Sequence, residues 1–109
     1  MQRKDFERAY KLRKRIIELE IVSREGISIS ETELKRLRAE FDKLRKRFDA
    51  IADDLPCDIY MILEIHYMCA WSYNMMKRYL LWPNETCKGN PKKIIEEYFS
   101  KTERKKRSI

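Results

Sequence analysis

Between residues 34 and 55, Leu34, Leu37, Phe41, Leu44, Phe48, Ile51 and Leu55 follow one another at alternating spacings of three and four. Only a helix gathers positions at that spacing into one stripe, and three heptads of it form the seam of a coiled coil. A strand is excluded, because its side chains repeat every two residues. The start of this helix is written just ahead of it. Ser30 followed by Glu33 has the spacing of a capping box, and Ile29 stands where it can staple to Leu34, so the helix begins at Glu31.

Upstream, Ala9, Leu12, Ile16 and Leu19 repeat three or four apart, and Phe6 and Ile17 widen the stripe. This predicts a first helix from about Asp5 to Arg24, stopped by Gly26, since glycine readily takes the left-handed conformation that follows a helix. Two amphipathic helices joined by so short a link are expected to fold back as an antiparallel hairpin over about residues 5–55. The seam residues Leu34, Leu37, Phe41, Leu44, Phe48 and Ile51 are at the same time candidates for self-association. A long seam beside an apolar middle favours a homodimer.

With 109 residues the chain is expected to form one domain, and two glycines and three prolines are too few for the turns of a sandwich or barrel. The fold class expected is all-α. The sequence divides it into the hairpin, a compact helical group over about 56–102 resembling a helix-turn-helix, and a basic tail over 103–109. Asp53-Asp54-Leu55-Pro56 ends the second helix, because the residue before a proline is pushed out of helical geometry. Asp53 and Asp54 read as caps of a helix that opens at Pro56.

Apolar and aromatic side chains then dominate residues 57–82, but as a single helix this segment would bury Asp58, Glu64, His66, Ser72, Asn74, Lys77 and Arg78 all around its circumference. A break near Cys69 to Ser72 removes the difficulty and predicts helices over about 57–69 and 72–82, the second capped by Ser72. It leaves Asn74, Lys77, Arg78 and Leu81 on one side and Met75, Met76, Tyr79, Leu80 and Trp82 on the other. Glu64, His66, Lys77 and Arg78 also interrupt the stretch as a membrane span, so no membrane is expected. Proline, asparagine and glycine mark a loop from Trp82 to Asn90. Asn90 caps a last helix with Pro91 at its first position, running through Ile94, Ile95, Tyr98 and Phe99 to about Thr102, and the residues beyond are expected to be disordered.

The chain offers little for catalysis. Its three cysteines (Cys57, Cys69, Cys87) and one histidine (His66) lack metal-ligand spacing, since only His66 and Cys69 share a helix face. His66 one turn from Cys69 is the minimum of a nucleophile pair, yet no residue pattern supplies an oxyanion hole or a group to orient the histidine. No enzyme, metal or cofactor is expected. The first fifteen residues carry alternating charge in place of an apolar leader, and the cysteines are odd in number, so a cytoplasmic chain with free thiols is expected.

Charge gives the better guide to partners. The formal net charge of +7 is spread as 15 basic and 10 acidic residues in 1–50, two and five in 51–87, and eight and three in 88–109. Two cationic ends therefore flank an acidic, aromatic centre. The outer face of the second helix, with Lys35, Arg36, Arg38, Lys43, Arg45, Lys46 and Arg47, is read as a solvated face more than as a phosphate-facing one. Lys88, Lys92 and Lys93 crowd the positive end of the last helix's dipole, where acidic residues would be favoured, and suit a phosphate. Arg104, Lys105, Lys106 and Arg107 add a cationic run.

From Pro56 onward, Ile62-Leu63, Tyr67, Trp71-Ser72 and Leu80 stand in an order that resembles small phage and prophage transcription regulators of the ArpU and RinA type, whose C-terminal half is similar to sigma-factor region 4. The chain departs from that pattern in bulky Met75-Met76, in the length of the segment from Trp82 to Pro91, and in Glu85. The resemblance implies a DNA-binding regulator, with Lys92, Lys93 and Glu96 of the last helix at base edges or backbone and Lys77, Arg78 and Lys88 on phosphates. The nucleic-acid-binding candidates are therefore Lys77, Arg78, Lys88, Lys92, Lys93, Arg104, Lys105, Lys106 and Arg107. The alternative partner is a host nucleic-acid-processing protein, blocked at its anionic-ligand site as anti-CRISPR or anti-restriction proteins do, and a third reading is a helical assembly factor.

Overall fold

A computed structural model describes residues 1–85 and 87–107, the side chains of 104–107 excepted. Every regular element among them is helical: α1 (Arg3–Arg24), α2 (Glu31–Ala52), α3 (Cys57–Ile62), a π-helical segment (Leu63–Met68) that continues α3, α4 (Tyr73–Tyr79) and α5 (Pro91–Arg107). The expected all-α hairpin with a helical C-terminal group is what forms. α1 lies against both α2 and the π segment, α3 packs on α5, and α4 returns onto the π segment.

The hairpin follows from the residues at its tip. Gly26 takes φ +83, the Gly26 and Ile27 amides bond back to the Ser23 and Val22 carbonyls, and α1 ends in a Schellman motif. Ser30 Oγ then accepts the Glu33 amide at 3.2 Å and starts α2 at Glu31. Ion pairs run across the two helices in antiparallel register, Arg47 to Asp5, Arg8 to Glu40 and Arg38 to Glu20.

This packing consumes the seam. Leu34, Leu37, Phe41 and Phe48 are buried and Leu44 and Ile51 half-buried, in one core with Phe6, Ala9, Leu12, Ile16 and Leu19 of α1. Within one chain α1 thus covers much of the stripe offered for self-association, and Leu44 and Ile51 keep part of their surface in solvent.

Phe6 is the junction of the fold. It is fully buried, with ring centroids 5.9 Å from Phe48 of α2, 5.9 Å from Tyr67 of the π segment and 5.8 Å from Phe99 of α5. Four elements thus meet on one side chain.

The break expected near residues 69–72 is present, and Ser72 Oγ caps α4 by accepting the Met75 amide at 3.1 Å. Ala70 reverses the chain with φ 57. The half-buried polar residues before the break find local partners, Glu64 with Arg45 of α2 and His66 with the Trp71 carbonyl.

Four expectations need correction. Asp53 and Asp54 are exposed and do not cap α3; Pro56 itself is the cap residue, its ring leaving no side-chain acceptor, and Asp58 Oδ1 takes the Ile59 amide instead. α4 stops at Tyr79, because Leu81 adopts a left-handed φ of 52, so Met75, Tyr79 and Leu81 are exposed while Met76 and Trp82 are buried. α5 does not end at Thr102 but runs through Arg107, since Lys, Arg and Glu favour helix and no glycine or proline stops it. Glu96, which the family resemblance sets toward DNA, pairs with Arg3 of α1 and so faces its own fold.

Candidate nucleic-acid interface

The charges separate into two kinds. Among the described residues every ion pair takes its cation from arginine: Arg3, Arg8, Arg15, Arg36, Arg38, Arg45 and Arg47. The planar guanidinium suits such pairing, while a lysine ammonium keeps its hydration. On the outer face of α2, Arg36, Arg38, Arg45 and Arg47 are thereby spent on Glu40, Glu20, Asp49 with Glu64, and Asp5. That face is a network of exposed and half-exposed pairs, as a solvated surface should be.

Among the described residues lysines take no part in this pairing, the exposed Lys35, Lys43 and Lys46 of α2 included. Lys77, Arg78, Lys88, Lys92 and Lys93 are all exposed, and among the described residues none has an ion-pair partner. Lys77 and Arg78 lie in the last turn of α4, Lys88 in the loop, and Lys92 and Lys93 in the first turn of α5. The loop connects these segments. Trp82 is buried and its indole Nε1 donates to the Gly89 carbonyl at 2.8 Å, tying the two ends of the loop to each other.

Asn84 organises the interior of that loop: its amide donates to the Cys87 carbonyl and its Oδ1 accepts the Cys87 amide, each at 2.8 Å, while Nδ2 donates to the Leu80 carbonyl. Cys87 is buried with Sγ 3.4 Å from Met61 Sδ, which anchors the loop on α3. Asn90 Oδ1 then accepts the Lys92 amide at 3.0 Å and caps α5 as its sequence position implies. Lys88 thus lies in this closed loop with the carboxylate of Glu85, and the other four cations flank the loop in sequence on α4 and α5. Arg104, Lys105, Lys106 and Arg107 belong to the backbone of α5, and their side chains lie outside the described residues.

His66 sits behind this end in an aromatic stack, with Tyr73 at 4.0 Å and Tyr10 at 5.1 Å between centroids and Tyr67 against its edge. Because a carbonyl only accepts, the 2.6 Å contact to the Trp71 oxygen fixes the proton on Nδ1 of the neutral ring. Burial lowers the His66 pKa, with the bond to Trp71 working against it. Below about pH 6.5 the unfolded chain takes up a proton that the folded chain refuses, so stability falls as pH drops through that range and is flat above it. Asp5, lowered by its bond from the Gln2 amide, loses its contribution only at more acidic pH. Urea midpoints are expected to be lower at pH 5.5 than at pH 7.5, by less than one proton's worth of slope, and His66→Gln should remove the difference.

Partial burial first, then the Glu64 carboxylate, push the Cys69 thiol up, the opposite of an activated nucleophile, and burial pushes up Cys87. The three cysteines are free, and among the described residues no group of three or more His, Cys, Asp or Glu side chains is placed to hold a metal. No described helix is long and apolar enough to cross a membrane. No protein-family model matches the chain, and comparisons with curated proteins and with solved structures find no match.

Proposed function

We propose that this is a non-enzymatic, cytoplasmic DNA-binding regulator that holds the phosphate backbone with Lys77, Arg78, Lys88, Lys92 and Lys93. The observation that carries the reading is the loop closed by Trp82 and Gly89, which carries Lys88 and joins the helices that bear Lys77, Arg78, Lys92 and Lys93, all five exposed and without an ion-pair partner among the described residues. Phosphate groups are the common anion that rewards such an array. The order of helices from Pro56 onward, similar to the phage regulators, agrees with it, and free thiols suit a reducing cytoplasm.

A salt titration tests the proposal. Five phosphate contacts give log K a slope of about −4.5 against log salt on duplex DNA, and neutralising two of them lowers the slope by about 2. Lys92→Gln with Lys93→Gln should therefore weaken binding and flatten its salt dependence without lowering thermal stability, because lysines at a helix N-terminus oppose the dipole. Binding with no salt slope, or no binding to nucleic acid at low salt, rejects it. The second reading, occupation of an anionic surface on a nucleic-acid-processing protein, is favoured by the exposure of apolar Met75 and Leu81 among the cations.

A further inference from the structure

Beside Arg78, one of these cations, the fold leaves an aromatic ring in water. Tyr79 closes α4 and is 62% exposed, although Met76 in the same helix is fully buried. Its ring is not loose. Trp71 meets it edge-on at 6.1 Å between centroids, and the Arg78 guanidinium lies over it at 5.7 Å. A flat ring and a flat cation are the two groups on which proteins stack nucleobases, and placing them on a cationic surface is the general plan of single-strand binding sites.

A duplex hides the faces of its bases inside the stack, so a surface ring gains nothing from it, whereas an unpaired base presents a free face. The alternative, a basic helix free to enter a major groove, is poorly served by α5. Ile95 and Phe99 are in the core, Glu96 is tied to Arg3, and between its first-turn lysines and its basic C-terminal run the helix offers a single cation, Lys101.

We infer that Tyr79, braced by Trp71 and Arg78, is a stacking platform for an unpaired base, so that the ligand of the cationic end is single-stranded nucleic acid. This rests on the reading of that end as a phosphate-binding surface. The lysines then track the backbone and the ring takes a base.

The test is fluorescence anisotropy on the full chain, with an end-labelled mixed-sequence single strand of about 16 nucleotides, long enough for one small site, and the duplex of the same sequence at equal salt. The single strand should bind more tightly than the duplex. Tyr79→Ala should weaken single-strand binding by about 5- to 150-fold, with the salt slope unchanged because no charge is removed, and Tyr79→Phe should keep the affinity. Since Tyr79 lies outside the core, circular dichroism should show the helices intact in both variants. Preference for the duplex, or a silent Tyr79→Ala where Lys92→Gln with Lys93→Gln still weakens binding, overturns the platform and leaves the phosphate reading standing. Failure of both strands to bind overturns the two together.

Discussion

Phe6→Ala should destabilise the protein by about 3–5 kcal/mol, the range for deleting a buried phenyl ring whose surroundings cannot close over the void. Closure is hard here because Phe6 is enclosed by Phe48, Tyr67 and Phe99, which belong to three different elements, and a move by one of them to fill the gap unpacks it from the others. Small domains have a total stability of about 5–15 kcal/mol, so the variant should sit near the edge of folding. In urea, with a slope of about 2 kcal/mol per molar, the midpoint should fall by about 2 M. A fall of less than about 0.5 M, well below what the slope and the range imply, would show that the four elements do not depend on this ring.

The second large effect is expected at Trp82. Trp82→Ala removes a side chain that is 3% exposed together with the indole bond to the Gly89 carbonyl, and should cost about 3–5 kcal/mol. Trp82→Phe keeps much of the ring and loses the bond, for about 1 kcal/mol. The same pair has a second readout. If the loop is what gathers the cations, Trp82→Phe should reduce the salt slope of nucleic-acid binding although it removes no charge. An unchanged slope would mean that the cations are placed by the helices alone.

How far the sequence disclosed all this depends on how local each cause is. Helix periodicity and caps are local, and Gly26, Ser30, Ser72 and Asn90 each do in the structure what their positions imply. The break at Cys69 to Ser72 was legible because polar residues cannot surround a buried helix. What stayed hidden needed partners distant in sequence. Glu96 reads as a groove-facing carboxylate until Arg3, 93 residues away, is seen beside it. The seam of α2 reads equally as a hairpin and as a dimer, since a heptad stripe does not say whose helix covers it, and here α1 does.

The site shows the same division. Unpaired lysines on either side of the loop are visible as composition, but the closure of the loop between them depends on Trp82 reaching Gly89 and on Asn84 bonding Cys87 and Leu80. Trp82 and Asn84 were legible only as loop formers or apolar filler. The strained turn at Leu81 left still less trace, because glycine, the usual signal of a left-handed residue, is absent there.

The division of labour between arginine and lysine reaches beyond the binding experiment. With arginine alone holding the ion pairs of the described residues, the fold's electrostatic scaffold contains no lysine. A lineage can therefore add, delete or move exposed lysines and retune what the surface attracts, while the pairs that register α1 against α2 stay untouched. Affinity and architecture become separately heritable traits in a chain of barely a hundred residues.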